Sequence, residues 1–198
     1  MTRPRDSTPE DNVNGLIARQ LSQLRKARSL SFDALAARSE ISKGMLVAIE
    51  HGRANPSIGT LCKLASALRV SLAELLSEGP DRPLDVQIIP PDQTSVLWQG
   101  PRGGLATLLV GSAGPDMLEL WEWRLCPGET FKAKKHTKGT VELVLVTEGT
   151  LALEVGGVDH SIPTNHRAIA KTDKPHSYRC HGSKPTRFLM VVHEPEPS

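Results

Sequence analysis

The chain has 198 residues, 23% charged and 38% hydrophobic, with a net charge of +2; this balance fits a folded globular protein and argues against disorder. Cys62, Cys126 and Cys180 are scattered without CxxC spacing, which argues against a disulfide framework or a zinc finger. No apolar run approaches the about 18 residues of a membrane span, and the polar start of the chain lacks a signal-peptide core, so a cytoplasmic protein with no membrane partner is expected.

In chain order, residues 1–13 are polar with little to bury and read as a disordered arm. From Asn14 to Leu76 apolar residues recur at helical spacing, with Leu16, Ile17, Leu21 and Leu24 as the first set. Asn14 is placed to cap a first helix ending near Arg28, and Ser31 to cap a second through Arg38. Ser42 opens a third, which ends at His51-Gly52; Pro56-Ser57 opens a fourth to about Leu68, and Ser71 caps a short fifth. The link Ser39-Glu40-Ile41-Ser42 has the length of the turn in a helix-turn-helix, with Leu35, Leu46 and Ile49 as its core. Residues 14–77 thus form an all-α unit. Residues 78–94 are a linker and entry strand, with two prolines stiffening the linker between Gly79 and Pro83. Residues 95–194 alternate short β-type runs with Gly and Pro, an all-β unit.

The helical half resembles the lambda-repressor-like, or xenobiotic-response-element (XRE), helix-turn-helix family. The likeness is carried by Leu24-Arg25-Lys26-Ala27-Arg28, Leu35-Ala36-Ala37, Ile41-Ser42-Lys43, Ile49 through Ser57, and Leu61. Glu40 departs from it, standing where the family usually has glycine in a left-handed conformation. The resemblance implies binding to a double-stranded DNA operator. Lys43, Gly44, Met45 and Val47, with the cap Ser42, would sit at the groove, and Arg38, His51, Arg53 and Asn55 would contact phosphates. Met45 is equally compatible with a core position. The alternative for the whole face is a solvated basic surface, although Arg19, Arg25, Lys26, Arg28, Arg38, Lys43 and Arg53 outnumber Asp33, Glu40 and Glu50.

The β half resembles the cupin family, whose small antiparallel jelly-roll barrel holds a metal between histidines and a glutamate. Two motifs carry the likeness, Lys135-His136-Thr137-Lys138-Gly139-Thr140-Val141-Glu142 through Gly149, and Pro175-His176-Ser177-Tyr178-Arg179-Cys180. By position, His136, Glu142 and His176 match ligands for one divalent ion such as zinc, iron or nickel. Lys138 stands where a second histidine usually falls, and Cys180 where asparagine is common. An inward Lys138 would repel the ion. A degenerate cupin that binds no metal is the competing reading.

Strand parity puts Glu142, Val144 and Val146 on one face, and His176, Tyr178 and Cys180 on one face of another strand. Trp121 and Trp123 share a face opposite Glu122 and Arg124, but parity does not say which face looks inward. Tyr178, Trp121, Trp123, Lys138 and Cys180 are the candidate lining of an effector pocket. The two-domain order resembles a group of homodimeric, non-enzymatic transcription regulators that sense small molecules, and the His136-Gly139-Glu142 spacing is similar to members linked to sulfur or amino-acid metabolism. The rival readings are a non-heme-metal enzyme of the fosfomycin-epoxidase type, in which histidine and glutamate lie closer together, and an architectural DNA-binding protein whose cupin only dimerises.

Overall fold

A computed structural model describes residues 9–76, 86–112 and 116–195, in two compact units that divide between residues 83 and 84. The helical unit contains α1 (Pro9–Ala27), α2 (Phe32–Ser39), α3 (Lys43–Glu50), α4 (Ile58–Leu68) and α5 (Leu72–Leu75). Each of α2 to α5 begins on a serine whose side chain accepts the amide N–H three residues on: Ser31 from Ala34, Ser42 from Met45, Ser57 from Thr60 and Ser71 from Glu74. A cap of this kind contributes about 1 kcal/mol. The first helix differs from the sequence expectation, since it starts at Pro9 and not at Asn14. Proline costs nothing at the first helical position, where no intrahelical donor is needed. The expected disordered arm therefore does not extend through residue 13, and its first eight residues, like residues 78–85 of the 78–94 linker, lie outside the described residues.

Leu21, Leu35, Leu46, Ile49, Leu61 and Leu68 are fully buried and form the centre of this unit. Glu40 ends α2 at φ 54 and ψ 34, the left-handed turn that the α2–α3 link requires. A non-glycine residue there costs on the order of 1 kcal/mol. Arg25 of α1 grips Glu50 of α3 with two parallel bonds, NH2 to Oε2 at 2.9 Å, while its NH1 donates to the Leu30 carbonyl at 3.0 Å. Its guanidinium also stacks 4.1 Å from the Phe32 ring centre. This cluster fixes α3 against α1.

The second unit consists of β1 (Ser95–Gln99), β2 (Leu105–Gly111), β3 (Met117–Leu125), β4 (Thr130–Ala133), β5 (Val141–Glu148), β6 (Thr150–Val155), β7 (Val158–Pro163), β8 (Arg167–Lys171), β9 (His176–Cys180) and β10 (Thr186–Glu194). They form a six-stranded sheet, β1-β2-β3-β10-β5-β8, and a four-stranded sheet, β4-β9-β6-β7, antiparallel throughout. The sheets face each other as an open jelly-roll and are not hydrogen-bonded into a closed barrel. The expected entry strand is absent from the described residues 86–94, which contain one 3-10 turn at Pro91–Gln93. Pro90 and Pro91 bring no amide donors to a ladder there.

Trp123 is the centre of the inter-sheet core. It packs against Phe131 at 4.8 Å, Tyr178 at 5.5 Å, Phe188 at 5.8 Å and Trp98 at 6.1 Å between ring centres. Alternation along β3 points Met117, Glu119, Trp121, Trp123 and Leu125 inward, which resolves the face that parity left open.

Candidate functional site

Two sets of residues carry chemistry. In the helical unit, the N-terminal face of α3 lies open. Ser42, Lys43, Gly44 and Met45 are exposed and Val47 is half-buried; Met45 retains 44% of its surface, which removes it from the core. A Cβ placed on Gly44 would meet nothing within 4 Å, so the backbone here is accessible from outside. Lys43 is held by Asp33 at 2.9 Å, an exposed pair worth at most about 1 kcal/mol, so its ammonium is easily redirected. Arg38, His51, Arg53 and Asn55 are exposed at the two ends of the motif. His51 Nδ1 lies 2.6 Å from the Val47 carbonyl; a carbonyl only accepts, so Nδ1 carries the proton and Nε2 remains available. Ser42 serves as the helix cap. Arg25, one of the basic residues counted in the sequence, is instead committed to Glu50.

In the β unit, His136, Glu142 and His176 come together from three places in the chain: the β4–β5 loop, the first inward position of β5 and the start of β9. One ligand atom from each lies within 4.8 Å of the other two. His136 Nε2 and His176 Nε2 are each 3.6 Å from Glu142 Oε1, too long for a hydrogen bond. Two ligands on one ion at about 2.1 Å with tetrahedral angles stand about 3.4 Å apart, close to this spacing. Glu142 Oε1 and His176 Nε2 are also buried without a hydrogen-bond partner, a costly arrangement unless a cation joins them.

The opposite atom of each ligand is held by the protein. His176 Nδ1 donates to the Lys174 carbonyl at 2.8 Å, which leaves the lone pair on Nε2. His136 Nδ1 faces Glu194 Oε2 at 3.5 Å, and Thr137 donates to the other Glu194 oxygen. The Tyr178 hydroxyl donates to Glu142 Oε2. Burial, then the Glu142 charge and this bond, push the Tyr178 hydroxyl well above its ordinary range, so it stays a donor. Burial pulls His176 below the ordinary imidazole value. It acts in the same sense on His136, but the Glu194 bond and the charges of Glu142, Glu194 and Glu119 outweigh it and raise that ring. The donor set, one neutral-leaning imidazole, one carboxylate-paired imidazole and one carboxylate, fits a divalent ion.

Two members of the expected pocket lie elsewhere. Lys138 is exposed on the turn before Gly139 and does not enter the barrel, because that turn is already committed to its left-handed glycine at φ +91. The repulsion an inward lysine would exert is thereby removed. Cys180 is half-buried at the far end of β9, its thiol donating to the Lys184 carbonyl at 3.0 Å. Trp123 is enclosed by rings as core, whereas Trp121 donates its indole N–H to buried Glu119 at 3.0 Å. Glu119 and Glu194 went unnoticed in the sequence, although each shares the inward parity of its strand. His160, His166, His181 and His193 are exposed, as expected.

Fold and sites together define a regulator with a DNA-reading head and a cupin tail. Residues 21–75 match the helix-turn-helix family model and residues 121–192 the cupin-domain model. The chain is 26% identical over 185 residues to the HTH-type transcriptional regulator SutR of Escherichia coli strain K12, spanning 93% of this chain and 98% of that protein. It is 37% identical over 72 residues to the uncharacterized HTH-type transcriptional regulator y4dJ of Sinorhizobium fredii, covering 36% of this chain and 94% of that protein. The crystal structure of an HTH_3 family transcriptional regulator from Vibrio cholerae matches with a TM-score of 0.73 at 27% identity, over 94% of this chain and 99% of that one. The chain belongs to the XRE-type helix-turn-helix transcriptional regulators that carry a cupin domain.

Proposed function

We propose that this protein is a sequence-specific, homodimeric DNA-binding regulator whose cupin domain senses a small molecule, and that it is not an enzyme. The observation that carries the DNA reading is the open N-terminal face of α3, with Lys43, Gly44 and Met45 uncovered and Arg38, His51, Arg53 and Asn55 exposed around it. Lys43 has the donors for guanine acceptors, and Met45 and Val47 the apolar surface for thymine methyls. The flanking cations and amide set register on phosphates. A family of this kind reads paired half-sites, hence a dimer on a near-palindromic operator.

The cupin reading rests on two unsatisfied buried atoms, Glu142 Oε1 and His176 Nε2, which lie 3.6 Å apart, with His136 Nε2 also 3.6 Å from the same carboxylate oxygen. His136, Glu142 and His176 would hold one divalent ion, zinc, iron or nickel, which would supply a Lewis-acidic anchor for an effector. Glu194, Tyr178 and Lys174 orient those ligands, and Trp121 is the aromatic wall nearest to them along the inward face of β3. Small sulfur-containing or amino-acid metabolites are the effector class to screen first, together with a cytoplasmic location for the protein.

The test is a salt titration of binding to the protein's own promoter DNA. Arg53→Ala should weaken binding to every duplex and lower the salt slope by about one, whereas Lys43→Ala should weaken a preferred site selectively. Absence of any salt-sensitive binding by the wild type would overturn the DNA reading.

A further inference from the structure

We propose that the outer face of the six-stranded sheet pairs with the same face of a second copy of this chain, about a two-fold axis parallel to the strands and between β10 and β5. The register sets two adjacent outward rows across β3, β10, β5 and β8. One row reads Leu120, Val191, Leu143, Ile169, and the next reads Glu122, Leu189, Leu145, Arg167. The first row is wholly apolar yet open, with Leu143 at 49% and Ile169 at 77% exposure. A contiguous apolar patch of this kind marks an interaction surface. Toward β1 the same sheet is flanked by the segment around Gln87 to Pro91, which shares a groove with Val96, Val110 and Glu122. The first row continues onto β2 through Val110, which pairs with Leu120 and is 43% exposed; the opposite charges of Glu122 and Arg167 frame the stretch from β3 to β8, whose midline falls between β10 and β5.

The occupant follows from the symmetry of the rows. A two-fold axis on that midline brings each position over the one equally far on the other side. Leu120 then meets Ile169 of the copy, Val191 meets Leu143, and Leu189 meets Leu145. At the ends of the second row Glu122 meets Arg167, and the symmetry makes that pair twice. The row is charged at both ends, with opposite signs, and apolar between, which is self-complementarity of the isologous kind. Aligned packing of two twisted sheets accommodates the geometry. With strands about 4.8 Å apart and same-face residues about 6.8 Å apart, these two rows over four strands offer on the order of 260 Å² of projected area. A standard interface uses about 800 Å² per partner, so the dimer is expected to be concentration dependent.

This inference rests on the homodimer part of the proposed function and not on DNA binding. The experiment is sedimentation velocity of the full chain, without DNA, over a concentration series, with circular dichroism as the control for folding. The wild type should pass from monomer to dimer, and Leu143→Glu with Ile169→Glu should stay monomeric with an unchanged spectrum. Glu122→Arg or Arg167→Glu alone should weaken the dimer by about tenfold or more through facing like charges, and the two combined should restore it. A wild type monomeric at every concentration, a doubly substituted Leu143/Ile169 variant that dimerises like wild type, or a charge swap that fails to rescue would each overturn the proposal. A dimeric wild type with no affinity for its promoter DNA would refute only the DNA reading.

Discussion

Tyr178→Phe isolates the hydrogen bond that orients the buried carboxylate. The change deletes one oxygen and keeps the ring, so the packing against Trp123, Phe131 and Phe188, with centres 5.5, 6.3 and 5.8 Å away, is retained. What is lost is the donor to Glu142 Oε2. A bond to a charged, buried acceptor is worth about 1.5–3 kcal/mol. For an outer partner of a metal ligand the expected loss of affinity is about 10–100-fold, or about 1.4–2.7 kcal/mol, the same size. The assay is calorimetric titration of chelator-stripped protein with zinc or nickel, beside thermal unfolding of the metal-free form. The expected result is weaker metal binding together with a lower melting temperature. A loss of stability with unchanged metal affinity would reduce Tyr178 to a fold-supporting role. A variant unchanged in both measurements would refute the reasoning.

Breaking the Arg25–Glu50 pair, whose side chains are only 12% and 5% exposed, should cost about 2–4 kcal/mol for Glu50→Ala, because a charge is left nearly buried; a loss below about 0.5 kcal/mol in denaturant unfolding would contradict this. Glu129 is buried and accepts amide N–H groups from Arg102 at 2.7 Å, Gly104 at 3.3 Å and Cys126 at 2.7 Å. Burial alone would raise its pKa, but those three bonds and the Arg102 charge outweigh it, so the carboxyl is held below its ordinary value. Its contribution is thus present above about pH 4.3, the unfolded value, and lost as pH falls through the lower folded one; below pH 4.3 the wild type should lose stability more steeply than Glu129→Gln. His176→Ala or Glu142→Ala should leave DNA affinity nearly intact and abolish the effector response, as followed by binding titrations with and without effector; two variants that respond like wild type would remove these residues from the sensing site.

The parts legible in the sequence are those whose cause is local. Ser31, Ser42, Ser57 and Ser71 announce helix starts because a serine hydroxyl reaches an amide three residues away whatever the rest of the chain does. Inward positions of β5 follow from alternation for the same reason. The Pro9 start also has a local mark, since Thr8-Pro9-Glu10-Asp11 places proline at the first helical position and acids in the first turn; Asn14 competes with it because the apolar spacing begins just after it. A motif position such as that of Lys138 carries no direction of its own; the side chain is exposed on the turn that ends in Gly139 at φ +91.

The oriented donor set was the least legible part, for a topological reason. Glu194 stands on the inward parity of β10, and that much can be read from Phe188, Met190 and Val192. Its partner Thr137 is 57 residues earlier in the chain, and nothing near either residue reveals that β10 lies between β3 and β5. The central place of β10 also gathers the acidic residues: Val192 pairs with Glu119 on one side and Glu142 on the other. A long final strand inserted between two earlier ones therefore does two things at once. It places three carboxylates around two imidazoles on the inner face, and it joins Leu120 and Leu143 through Val191 into one apolar row on the outer face. The His136, Glu142 and His176 cluster inside and the apolar row outside are thus consequences of the same strand order, and a substitution on β10 changes one or the other according to whether its position is even or odd.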